Sequence, residues 1–211
     1  MRSSSPSSRL LFAGVVLAVV SLAHAAAAQS NAQGFALERL YLSAPGGGWF
    51  VMDDLSMHGG LGGALALTTG YARNPLRVAS SSDRVPVVSD QLFTDFGFAA
   101  TFDRFRIYLN LDAPISTKGR SGRVSGYDFT APSLALSNSP DSFADARIGT
   151  DVRVLGEADS PFRLGIGAQL LFPTGKRFDY DSDGTYRAMA RALFAGDVGA
   201  FTYAGQLGMH V

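Results

Sequence analysis

The residues in this chain best placed to do chemistry are acids and arginines that alternate with apolar residues. In the stretch ADARIGTDVRVLG, residues 144–156, Asp145, Arg147, Asp151 and Arg153 share one set of alternate positions, with Gly149 between them. Ala146, Ile148, Thr150, Val152 and Val154 take the other set. Asp95, Arg106, Asp112, Arg163, Arg187 and Arg191 occupy equivalent positions in similar segments. Opposite charges so spaced can pair across strands inside a small barrel, whose interior is filled by side chains. In a wider barrel they can line a pore and select ions. The filled interior is the plainer of the two readings.

Catalytic chemistry finds no such pattern. The histidines are His24, His58 and His210, and nothing sets one beside a serine and an acid. The chain is not expected to be an enzyme. One loop could take a metal: in DYDSDG, Asp179, Asp181, Asp183 and Gly184 match the first half of a calcium loop. Position twelve of that loop is Ala190, where the motif needs a bidentate Glu, so Ca²⁺ is a weak candidate there. A solvated acidic loop tip is the simpler reading. Bound Ca²⁺ would order the loop or bridge lipopolysaccharide.

The elements that position these residues are strands, because a period of two puts alternate side chains on opposite faces. Seven segments carry it: LGGALALTTGYA, DQLFTDFGFAATF, FRIYLNLDA, the stretch above, FRLGIGAQLLF, YRAMARALFA and FTYAGQLGMHV. The sixth, rich in Ala and Arg, could also form a helix. The connections alternate in length: Asn74 to Ser89 long, Asp103-Arg104 short, Pro114 to Phe143 long, Gly156 to Pro161 short, Pro173 to Thr185 long, Gly196 to Ala200 short. Long loops on one side and short turns on the other are the signature of an outer-membrane barrel. Aromatic residues suggest two girdles, with Phe102, Phe105, Phe162, Phe201 and Tyr203 beside the short turns and Phe172 and Phe194 near the opposite ends.

The 211-residue chain has no cysteine and so no disulfide framework. Arg2 and Arg9 followed by the apolar run Leu10 to Leu22 and Ala26-Ala27-Ala28 read as a signal peptide over residues 1–28. Removing those two arginines leaves a net charge near −2, which gives no support for nucleic-acid binding. No later apolar run reaches the ~18 residues of a membrane helix. A closed barrel crosses a bilayer without one. Residues 29–60 are irregular, broken by Gly46-Gly47-Gly48, with Trp49-Phe50 as an interfacial anchor, a plug contact or packing at the barrel base.

Two blocks carry a family resemblance. Gly34-Phe35-Ala36-Leu37, Arg39, Trp49-Phe50-Val51 and Asp54-Leu55 resemble the start of the mature part of myxobacterial-type OmpA-family proteins. ADARIGTDVRVLGEADSPFRLGIGAQLLFPTG resembles a hairpin recurrent in outer-membrane barrels. The resemblance implies a barrel in the cell outer membrane, in contact with its lipid. It also implies peptidoglycan binding only through a C-terminal domain, expected to be absent from this chain.

The expected fold is therefore all-β, an antiparallel up-and-down transmembrane β-barrel over residues 61–211 with seven visible strands. Seven is odd and bacterial barrels close with an even number, so the barrel is expected to be incomplete. Three functions fit: an OmpA-like structural protein of the envelope, a porin or small-solute transporter, and a soluble periplasmic barrel that binds an apolar ligand.

Overall fold

Alternation of apolar and polar residues produces one large antiparallel sheet. A computed structural model describes residues 34–37, 40–125, 127–135, 137–138 and 142–211. The seven expected segments all form long strands: β1 (Leu61–Ala79), β2 (Arg84–Phe102), β3 (Phe105–Lys118), β7 (Ala146–Leu155), β8 (Arg163–Phe172), β9 (Arg187–Val198) and β10 (Phe201–His210). Three short strands, β4 (Gly122–Val124), β5 (Tyr127–Phe129) and β6 (Ser133–Ala135), lie between β3 and β7. The sheet order is β1-β2-β3-β7-β8-β9-β10, with β6 paired to β3 and β4 paired to β5. Each long strand pairs with the next in chain order, so the sheet is an up-and-down meander, curled into a half-barrel with β1 and β10 at its edges. The signal-peptide expectation falls on residues outside those described.

The sixth segment is a strand: Ala and Arg favour a helix locally, but β9 pairs with β8 along nine residues and with β10 along ten. Local propensity is overridden by the ladder. The first long connection needs correcting. Residues 74–89 are mostly hairpin, since β1 runs on to Ala79, β2 begins at Arg84, and only Ser80 to Asp83 turn. Asn74-Pro75 reads as a loop signal, yet it sits at a break in register between Arg73 and Leu76, with Asn74 in the left-handed region at φ 51°. Asn tolerates that conformation, and Pro is tolerated in an edge strand.

The two faces of the sheet differ in kind. On β3, Arg106, Tyr108 and Asn110 are buried while Phe105 and Ile107 are exposed. On β8, Arg163, Gln169 and Leu171 are buried while Leu164, Ile166 and Leu170 are exposed. The buried face is occupied by residues 34–37 and 40–58, which form no regular element and lie along the inner wall. At the long-loop end a separate apolar cluster packs Val85, Val87 and Val88 of β2 against Val124 and Tyr180, with Leu37, Leu76, Val78 and Phe129 around them.

Candidate functional site

The inner wall is organised around four ionised side chains. Arg106 of β3 pairs with Asp53 at 2.7 Å and with Asp151 of β7 at 2.8 Å. Arg191 of β9 pairs with the same two acids, Asp53 at 2.8 Å and Asp151 at 2.7 Å. None of the four side chains is more than 3 % exposed. Burying one unpaired ion costs several kcal/mol, so two cations and two anions in alternation are the arrangement such a site tolerates. Three of these groups belong to the wall. Asp53 comes from the N-terminal segment and closes the ring.

Neighbouring groups extend the network. The Tyr108 hydroxyl accepts from Arg191 Nη2 and Gln169 Nε2, each at 2.6 Å. Asn110 Nδ2 donates to the Asp95 carboxylate at 2.9 Å. Glycine supplies the room. A Cβ at Gly149 would lie 2.2 Å from Tyr108 Cζ, and one at Gly167 would lie 2.2 Å from Asp151 Oδ1. The glycines interleaved with charges on β7 and β8 are therefore space for large side chains that cross the interior.

The N-terminal segment is gripped mainly through its backbone. Arg147 Nη2 donates to the carbonyl of Leu42 at 2.8 Å. Arg153 Nη1 donates to the carbonyls of Leu55 and Met57 at 2.9 and 2.8 Å. Gln206 Nε2 reaches the carbonyl of Val51 at 3.3 Å, and Arg187 Nη1 reaches the Tyr41 hydroxyl at 3.1 Å. A chain without ladder partners leaves its carbonyls unsatisfied, and buried arginines supply the missing donors. The Arg147 guanidinium also lies 5.6 Å from the Tyr41 ring centre and 6.0 Å from that of Tyr108. Leu55 and Met57 pack on Leu193 near the short-turn end.

Of the ten charged residues singled out in the sequence, Asp95, Arg106, Asp145, Arg147, Asp151, Arg153, Arg163 and Arg191 are buried, and Asp112 and Arg187 are half-buried. They do not form one site. Arg106, Asp151 and Arg191 meet in the central ring. Arg163 pairs with Asp197 at 2.7 Å toward the short turns. Asp112, Asp145, Arg147 and Arg187 gather at the long-loop end around a small cavity. Asp53, Tyr108, Asn110 and Gln169 were not singled out. The acid pair in WFVMDDL, set in an apolar context, is the one signal that could have marked Asp53.

Phe102, Phe105, Phe162, Phe194 and Phe201 are exposed, and Phe172 and Tyr203 half-buried. The Phe201 and Tyr203 rings stack with centres 6.3 Å apart. Phe194 needs correcting: it pairs with Leu164 and Gly205, in the half of β9 nearer the short turn, so of the two expected at the long-loop end only Phe172 lies there. The three loop acids are not brought together. Asp183 accepts from the Ala36 amide at 2.9 Å and pairs with Arg187 at 2.9 Å. Asp179 ends a short 3-10 turn, Arg177–Asp179. Asp181 is buried. Among the described residues no group of three acidic or histidine side chains is placed to hold a metal ion.

No family model, curated protein or solved structure matches this chain.

Proposed function

We propose that this chain is an outer-membrane β-barrel protein of OmpA-like type, with a structural role in the cell envelope and an interior filled by its own N-terminal segment. The observation that carries this reading is the inverted distribution of polarity. Arg106, Asp151, Arg163 and Arg191 lie inside, while Leu65, Leu67, Phe98, Ile107, Ile166, Leu170, Leu207 and Met209 cover the outside. In water, a continuous apolar patch of that extent is a liability. Facing hydrocarbon it is the favourable arrangement, and charges placed there instead cost roughly 2–4 kcal/mol each at the midplane. The aromatic residues beside the short turns suit an interfacial girdle.

A porin reading gains less support, because the charged ring and the N-terminal segment occupy the space a solute would cross. The OmpA-family part of the reading rests on the two sequence blocks described above. The test is the native protein from cell envelopes, run unheated and boiled on a gel. Membrane partition with a mobility shift on heating is the expected result. A protein recovered in the soluble periplasm with no shift overturns the assignment.

A further inference from the structure

Asp181 has no visible reason to be buried. It lies in the loop between β8 and β9, and its side chain is sealed, with the residue 2 % exposed. Both carboxylate oxygens lack a hydrogen-bond partner. The backbone around it is well tied: the Asp145 amide donates to the Asp181 carbonyl at 3.2 Å, and the Asp181 amide donates to Lys176 at 3.3 Å. The loop therefore holds the carboxyl in place without satisfying it. A buried ionised carboxylate in that position costs far more than a neutral one.

The carboxyl borders a cavity of about 20 Å³, walled by Ala36, Leu40 and Tyr41 of the N-terminal segment. That volume holds about one water molecule. The sheet contributes Asp95 from β2, Asp112 from β3, Arg147 from β7 and Arg187 from β9, with Asp145 just before β7. Asp179 and Asp183 belong to the same loop but do not line the cavity. Arg187 is already engaged by Asp145 at 3.3 Å and by Asp183 at 2.9 Å, and Arg147 by the Leu42 carbonyl. Acids outnumber arginines around the cavity, and neither arginine pairs with Asp181.

The same loop clamps the start of the N-terminal segment. The Leu37 amide donates to the Tyr180 carbonyl at 3.0 Å, and the Ala36 amide to Asp183 Oδ1 at 2.9 Å. Tyr180 packs in the apolar cluster that includes Leu37.

We propose that the Asp181 carboxyl is a proton-operated latch: protonated, it seats the loop over the N-terminal segment, and ionised, it releases the loop and the segment's first residues. Burial, and then the charges of Asp179 and Asp145, push this carboxyl up to about 8. The seated state therefore binds the proton more tightly than the open, solvated state, whose carboxyl titrates near 4. The latch is at full strength below about pH 4. It weakens by up to about tenfold per pH unit as pH rises from there to about 8, and is lost above.

Amide hydrogen exchange across pH 5 to 9 on the full chain, corrected for the intrinsic rate, tests this. The amides of Ala36, Leu37 and Asp145 are expected to lose protection together as pH rises. Asp181→Asn, uncharged and of the same shape, is expected to keep them protected at every pH. Asp179→Asn removes one charge that penalises ionised Asp181, and is expected to lessen the loss of protection at high pH. A wild-type profile that Asp181→Asn leaves unchanged overturns the latch. So does protection restored at pH 9 by added Ca²⁺, which makes a cation the occupant.

Discussion

The β1–β2 hairpin passes through two regions with opposite interiors. At the long-loop end its inward residues are Val85, Val87 and Val88, packed with Val124 and Tyr180 as in any water-soluble core. Further down the same strands the inward residues are Ala64, Ala66, Asp95 and Gly97, and the apolar ones, Leu65, Leu67, Phe96 and Phe98, point outward. β1 keeps its period of two along its length, while β2 slips between the two regions, burying Val87 with Val88 and then Phe93, Thr94 and Asp95 in succession. What changes is which face carries the apolar residues, and that follows the surroundings. On the proposed reading, the first region stands in water and the second in hydrocarbon. Alternation alone specifies a strand; the medium on each side decides which half of the pattern is buried.

Substitutions that treat the two regions alike should separate them. The largest effect is expected from Asp151→Ala, which leaves Arg106 and Arg191 sharing one acid in a sealed site; about 3–5 kcal/mol is expected to be lost, read by urea unfolding in lipid vesicles. Next comes Ile166→Lys on the outer face, where the side chain is 56 % exposed. It is expected to cost roughly 2–4 kcal/mol in lipid. No loss in lipid breaks the comparison, since an outer face in water would accept the lysine freely. The smallest effect is expected from Val87→Ala in the apolar cluster at the long-loop end, about 1–2 kcal/mol for the buried apolar surface removed. That loss is expected with the strand region unaffected, seen as local exchange rather than global unfolding.

The long strands were legible because period two survives wherever two unlike faces exist. Arg106–Asp112 and Arg163–Phe172 could be divided residue by residue into an apolar and a polar face. The extension of β1 and β2 was not legible, because Asn74-Pro75 carries a loop signature that only the edge position and a break in register excuse. The inner segment was hidden for a different reason. Leu42, Leu55 and Met57 satisfy their carbonyls with arginines nearly a hundred or more residues away, so no local periodicity records their place. Asp53 likewise has its partners on β3 and β9. Asp181 was noticed for a metal motif, whereas its burial and missing partners depend on how the loop folds over the cavity.

The grip on the inner segment also bears on the speed of folding. Asp53 finds Arg106 across 53 residues, Leu42 finds Arg147 across 105, Tyr41 finds Arg187 across 146, and Val51 finds Gln206 across 155. The segment precedes every strand in the chain, yet its last partners stand on β9 and β10. Contacts this remote make for slow folding, because long loops are closed before the pairings that reward them form. The segment thus gains its full set of partners only when β9 and β10 are present, although it precedes every strand.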